Sequence, residues 1–237
     1  MGWHRELLVG FDLETTGTDP LTARIVTAAV TEVRDGEPIR HREWLVDPGV
    51  PIPEEATAVH GITTARAAAE GRPAVEAVAE IADALAAYWA AGVPVVVYNA
   101  PFDLSLVAAE LRRHSLLSLD ARLDGDVGPV VDPLVIDRTL DRYRRGKRTL
   151  EAACQFYGVT LDDAHEAAAD ALAAVRVAIA LAERFPETGD GELWELHRSQ
   201  IGWYADWAAG FQKFLARQGG APAPEIDTAW PLRAPAV

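Results

Sequence analysis

One cysteine in 237 residues is too few for any disulfide framework, so the chain suits a reducing, cytoplasmic setting. No apolar run approaches the roughly 20 residues that a membrane-spanning helix needs. The opening stretch, residues 1–11, lacks the long apolar core of a secretory leader. Glu6 stands where an N-myristoylation signal wants Ser or Thr. Positive charge is scarce: 22 Lys and Arg face 36 Asp and Glu, for a net charge of −14. A chain this acidic does not hold nucleic acid through a bulk positive field, but it can do so where metal ions neutralise the phosphates. Core-forming material is plentiful, with 49% apolar residues, 24% charged ones and a mean hydropathy near zero. That composition excludes disorder over most of the chain and fits a soluble catalytic domain of roughly 150–200 residues with an appendage.

Leu7 to Leu13 is short and apolar and predicts a strand. Ile25 to Val33 and Trp44 to Val46 continue a strand-rich opening, with Asp35-Gly36 as a hairpin turn. Pro48 to Pro53 reads as loop. Between Pro73 and Trp89, Val75, Val78, Ala82, Leu85 and Trp89 recur at helical spacing, and Gly92 ends that helix. Val93 to Tyr98 is a β-branched run that predicts a strand buried on both faces. Helices are predicted over Phe102–His114, Leu134–Tyr143, Leu150–Tyr157 and the Ala-rich Ala167–Phe185, with a short strand at Val130-Val131. A meander followed by alternating strands and helices predicts an α/β fold, a mixed sheet with helices on its faces. Past a break at Pro186–Gly191, Leu193, Leu196, Trp203, Trp207, Phe211 and Phe214 recur at three, four or seven residues, a second amphipathic helical unit. The expected organisation is therefore a catalytic domain over 1–185, a helical extension over 186–218 and an extended or mobile Pro/Ala-rich tail over 219–237.

Three segments carry chemistry. Phe11-Asp12-Leu13-Glu14-Thr15-Thr16-Gly17 ends the first strand, and side-chain alternation puts Asp12 and Glu14 on one face. Two such carboxylates either stand solvated at the strand end or share a hard divalent cation that relieves their repulsion. Tyr98-Asn99-Ala100-Pro101-Phe102-Asp103 ends the buried strand and opens a helix. An Asp in a first turn is ordinary helix chemistry, but the carboxyl ends of strands in a helix-flanked sheet are where sites gather. In His165-Glu166-Ala167-Ala168-Ala169-Asp170, five helical steps turn about 500° and leave the two end side chains about 140° apart. His165 then belongs on the loop or first turn after Asp162-Asp163, with Asp170 on the helix body. A His beside an anchored carboxylate suits a general base, since its ordinary pKa of about 6.5 lies near neutrality.

In this order and spacing the three segments resemble the motifs of the DEDDh family of 3′–5′ exonucleases, whose members include proofreading epsilon subunits, RNase T and oligoribonuclease. The likeness covers roughly residues 5–185, with further family-like pieces at Val59-His60-Gly61-Ile62 and Arg148-Thr149-Leu150. It implies a ribonuclease-H-like fold with a five-stranded mixed sheet. It also implies Asp12, Glu14, Asp103 and Asp170 as ligands of two divalent ions, Mg²⁺ or Mn²⁺, with His165 as base, and Thr15, Thr16, Phe102 and His60 against the terminal nucleotide; a structural role for His60 in its turn is the competing reading. Many members carry His where this chain has Tyr98, which bears on substrate contact and not on the five catalytic groups. Thr15 replaces the Met that short-oligoribonucleotide specialists tend to carry after the motif Glu.

No Ser or Cys sits in a plausible nucleophilic relay, and Cys154 falls mid-helix among core residues. The nucleophile is therefore water, activated between two metals and deprotonated by His165. The expected reaction releases nucleoside 5′-monophosphates from nucleic-acid 3′ ends, with DNA and single strands favoured. An RNA-trimming enzyme and a non-catalytic polymerase-associated adaptor are the alternatives. Residues 138–148 hold six basic groups against one Asp, and Arg144, Arg145 and Lys147 are expected to follow the substrate backbone. Arg112, Arg113 and His114 read as surface. The tryptophan stripe after residue 193 either docks on the catalytic domain of a monomer or forms a partner or homodimer surface. No polymerase domain fits in this length, so any association with a polymerase is in trans.

Overall fold

The computed structural model describes residues 2–123, 125–161, 165–218 and 225–233. Its six-stranded sheet has the order β4-β3-β2-β1-β5-β6. Strands β1 (Leu8–Thr15), β2 (Ile25–Arg34) and β3 (Glu37–Asp47) form the expected antiparallel meander. Asp35 and Gly36 turn the hairpin at positive φ. Both β5 (Val95–Val96) and β6 (Val130–Val131) run parallel to β1, while β4 (Arg72–Pro73) adds a short parallel edge beside β3. That edge pair is the sixth strand, one more than expected. Its two residues carry no apolar pattern to announce it. Likewise β3 is longer than the Trp44–Val46 signal, because residues 37–43 are all exposed and only Trp44 and Val46 are buried.

Helices cover both faces. On one side lie α3 (Ala74–Ala90) and α4 (Ala100–Arg113); on the other lie α7 (Leu150–Tyr157) and α8 (Ala167–Arg184). Of the expected α3 stripe, Val75 is exposed, and the buried face runs through Ala77, Val78, Ile81, Ala82, Leu85 and Trp89. Three short helices went unanticipated: α1 (Glu54–His60), α2 (Thr64–Glu70) and α5 (Leu119–Leu123). They bury almost nothing, since α1 has no buried residue and α2 only Ala67. The helix expected over Leu134–Tyr143 is α6 (Pro133–Leu140), capped by the Asp132 carboxylate, which accepts from the Leu134 amide. The break at Pro186–Gly191 contains a further turn, α9 (Pro186–Gly189).

The amphipathic unit past residue 193 is one helix, α10 (Leu193–Gln218). It docks on α6 and β6. Trp203 and Trp207 of the stripe pack partly buried against the core, and its outer rungs Phe211 and Phe214 are exposed. Leu196, His197, Gln200, Tyr204 and Ala208 are the buried residues. Two of these are polar because they cover the free edge of β6. Val130 donates its amide to His197 Nδ1 (3.1 Å), Asp132 donates to Gln200 Oε1 (2.7 Å), and Gln200 Nε2 donates to the Val130 carbonyl (3.0 Å). Side chains thus complete a strand edge that would otherwise be open. Part of the expected tail also packs: residues 225–233 return to the body, and Trp230 is buried against His197. An apolar indole on a Pro/Ala-rich segment has no periodicity to betray it.

Candidate functional site

Four carboxylates converge where β1 ends and α4 and α8 begin. Asp12 and Glu14 lie on one face of β1, flanked by buried Phe11 and Leu13 on the other. Asp103, only 4% exposed, sits in the first turn of α4. Its Oδ1 accepts the amide of Leu13 (3.1 Å), which fixes it between Asp12 and Glu14. The start of α4 is itself held. Asn99 is left-handed, and Asp132 accepts the amides of Asn99 (3.0 Å) and Ala100 (2.9 Å). Asp170 arrives on α8, whose approach depends on Gly10. A Cβ there would lie 2.3 Å from the carbonyl oxygen of Ala171, so only glycine lets this helix lie on β1.

The electrostatics of this cluster are one-sided. Burial pushes the Asp12 carboxyl well above its ordinary value, and the charges of Asp103, Asp170 and Glu14 push it further. Asp103 is raised mainly by burial, against its hydrogen bond from Leu13. Burial and the charge of Asp170 carry Glu14 to about 7. Asp170 is raised by burial, partly offset by His165. Its Oδ1 is buried with no hydrogen-bond partner, and an unsatisfied buried carboxylate oxygen is costly. Glu14, His165 and Asp170 each offer a ligand atom within 4.8 Å of the others. Oxygen-rich, anionic and under-satisfied, this donor set fits hard divalent cations.

His165 stands just before α8 at φ +72, off the helix, half-exposed, with Nε2 3.5 Å from Glu151 Oε1. Asp162 and Asp163, from which it was expected to follow, lie outside the described residues. Two hollows open beside the carboxylates and share Glu14 and His60. One of about 260 Å³ runs past Trp44, Arg66 and His165; one of about 440 Å³ runs past Thr15, Thr16 and Val59. His60 ends α1, where left-handed Gly61 turns the chain. Its Nδ1 accepts the Ile62 amide (3.1 Å), which is the structural role, while Nε2 is buried without a partner. Phe102 is partly exposed beside Asp103. Thr16 Oγ1 accepts the Arg24 amide, and Thr15 Oγ1 donates to the Gly17 carbonyl, so both hydroxyls already shape the strand end.

Other expectations need correction. Arg144 is buried: its Nε and Nη2 donate to Asp137 at 2.8 and 2.9 Å, and it does not face a substrate backbone. Arg148 joins the same carboxylate, whereas Arg145 and Lys147 are exposed. Arg113 and His114 are not simply surface, since both pair with buried Glu110. Sequence reading missed Asp132, which anchors the α4 start; Asp before Pro after an apolar strand was the available signal.

A family model described as Exonuclease (RNase_T) matches residues 9–178, from β1 into α8. A DNA polymerase III subunit epsilon-like protein of Rhodobacter capsulatus is 34% identical over 170 residues, 70% of this chain and 22% of its own length. A PolC-type DNA polymerase III of Streptococcus thermophilus is 29% identical over 170 residues, 71% of this chain and 11% of its own. Among solved structures, an exonuclease I from Methylocaldum szegediense superposes with a TM-score of 0.63 at 26% identity, over 78% of this chain and 42% of that one. Exonuclease I of E. coli in complex with a dA16 oligonucleotide gives 0.67 at 19% identity, over 92% and 46%, a likeness of fold. The chain thus spans less than half the length of each. Among the described residues no helix is long and apolar enough to cross a membrane. With the family match covering well over half of the chain, and the five residues read as catalytic all inside it, the protein belongs to the exonuclease family.

Proposed function

We propose that the protein is a metal-dependent 3′–5′ exonuclease that removes terminal nucleotides as 5′-monophosphates, with single-stranded DNA as the favoured substrate. One observation carries this reading: four carboxylates crowd at one strand end, their pKa values raised, with Asp170 Oδ1 buried and unpartnered. Asp12, Glu14, Asp103 and Asp170 would hold two divalent ions, Mg²⁺ or Mn²⁺. Those ions neutralise the phosphate and lower the pKa of water when bound.

The rest of the reaction falls to the chain's own groups. His165 accepts the proton of the attacking water, with Glu151 Oε1 3.5 Å from its Nε2. Asp103, locked to the β1 backbone, keeps its carboxylate oriented through the reaction. The hollow lined by Thr15, Thr16 and His60 receives the terminal nucleotide, with Phe102 against its base. Arg145 and Lys147 meet phosphates further along. Residues 1–185 carry the chemistry, and 186–218 form an extension with a short tail beyond. DNA is favoured because relatives are polymerase III proteins and the fold neighbours include exonuclease I bound to dT13 and dA16. The same relatives support association with a DNA polymerase in trans.

The test uses 5′-labelled single-stranded DNA, duplex DNA and RNA side by side, with Mg²⁺, Mn²⁺ or chelator. The expected result is stepwise shortening of single-stranded DNA from its 3′ end, abolished by chelator, with 5′-monophosphate products. Faster loss of RNA would move the reading to RNA trimming. No shortening of any substrate with either metal would overturn it.

A further inference from the structure

A second concave surface lies outside the carboxylate cleft, between the residue 138–148 segment and α10. It encloses about 540 Å³ and is lined by Arg138, Arg142 and Arg148 on one wall and Trp207, Phe211 and Phe214 on the other, with Asp206 as the acidic exception. The aromatic wall is a ladder. The rings of Trp207 and Phe211 lie 11° from parallel with centroids 5.5 Å apart, and those of Phe211 and Phe214 lie 15° from parallel at 6.2 Å. Its outer rungs are open to solvent: Phe211 is 36% and Phe214 52% exposed. The guanidinium of Arg138 lies 3.7 Å from the Trp207 ring centre, which bridges the two walls. Unlike Arg144 and Arg148, neither Arg138 nor Arg142 is committed to Asp137.

We propose that this groove binds the single-stranded nucleic acid that trails behind the terminal nucleotide, with bases on the Phe211–Phe214 ladder and phosphates against Arg138 and Arg142. The proposal rests on the exonuclease reading for the identity of the chain that arrives. Three features select this occupant. Exposed parallel rings beside cations are what a strand without fixed sequence needs: π-faces for any base and charge for the backbone. In a chain of net charge −14, Arg138 and Arg142 give this groove a local positive charge to attract a polyanion. An apolar partner helix would instead have to desolvate Arg138 and Arg142 without compensation. One bond ties the basic wall to the residue before the α4 cap: the Tyr98 hydroxyl, next to Asn99, donates to the Arg148 carbonyl (2.9 Å). Residues 9–178, which match the family, stop short of α10, so this wall belongs to the chain's own extension.

Fluorescence anisotropy in chelator, with 5′-labelled dT4 and dT16, tests the groove. Wild type should bind dT16 at least tenfold more tightly than dT4. Phe211→Ala/Phe214→Ala should cut that length advantage about tenfold, in line with about 1–3 kcal/mol per stacked base. Arg142→Ala should lower the salt slope for dT16 by about 0.7. If circular dichroism shows the double variant unfolded, Phe214→Ala alone, at a residue more than half exposed, carries the measurement. An unchanged length advantage in a folded variant overturns the proposal. So does a wild type with no length advantage, or a dimer that these substitutions dissociate while dT16 affinity holds. If dT16 is not shortened with Mg²⁺ or Mn²⁺, the exonuclease reading fails; a dT16 that is shortened but binds without a length advantage over dT4 fails the groove alone.

Discussion

Asp137 and the cleft carboxylates are the same chemistry placed in opposite company. Asp137 is fully buried, and burial alone would raise its carboxyl. Hydrogen bonds from Arg144, Tyr157 and Arg148 outweigh that and hold it below its ordinary value. Asp12 and Asp103, a few residues from apolar core, receive no guanidinium and are driven upward. The fold can thus supply cations to a buried acid, and it does so at the base of the 138–148 segment. At the strand end, among the described residues, acids outnumber the neighbours that could offset them, His165 being one. The first arrangement is complete in the chain; the second, on the proposed reading, is completed by divalent ions.

The contrast can be broken in several ways. Asp103→Ala should cost at least 10³-fold in nuclease activity, while the melting temperature in chelator holds or rises because repulsion is relieved. Retained wild-type turnover across metal concentrations would remove Asp103 from the site. His165→Ala should lower the rate 10²–10⁴-fold, the usual worth of a positioned base. Isothermal titration should still detect metal binding; loss of all of it would make His165 a ligand. Arg144→Ala should destabilise by about 3 kcal/mol in urea, because it strips a buried carboxylate of its main partner. A stable Arg144→Ala protein with weakened long-substrate binding would restore the substrate role withdrawn above.

The smallest effect is the pH response of the metal-free protein. Groups whose folded pKa is raised, Glu14 to about 7 among them, stabilise the fold below their unfolded values and lose that contribution as pH climbs through the folded ones. In chelator the melting temperature should therefore fall by a few degrees between about pH 4.5 and 8, and Mg²⁺ should reverse the fall. Asp137 acts in the other sense, since its stabilisation is present above about pH 4 and lost below. A melting temperature that rises with pH in chelator and ignores Mg²⁺ would mean that the cleft acids are not the strained ones.

Most of the fold could be read ahead because its signals are local. Apolar runs announced β1, β2 and β6, and Ala-rich periodicity announced α8. Helices α1 and α2 were silent because they lie on the surface with nothing to bury. Asp12, Glu14, Asp103 and Asp170 were legible as motifs, since strand alternation and helix starts are set by neighbours in sequence. Arg144 was misread for a related reason. A run of basic residues tells how much charge is present but not which member turns inward, and Asp137, seven residues away, decides that. The polar part of the α10 docking face was silent for the same kind of cause: Gln200 and His197, which bond the β6 edge, carry no apolar signature.

Trp230 closes the shell around Asp132, donating its indole N–H to the carboxylate that holds the α4 start (3.3 Å), from 98 residues further along the chain. Space gives that distance one meaning and time another. At ribosomal speeds of about 5–20 residues per second, Asp132 waits on the order of 5–20 s for its last donor. During that interval the sheet can form while the helix carrying Asp103 is still incompletely anchored. The start of α4, and with it Asp103, would then be fixed only when Trp230 arrives to close the core.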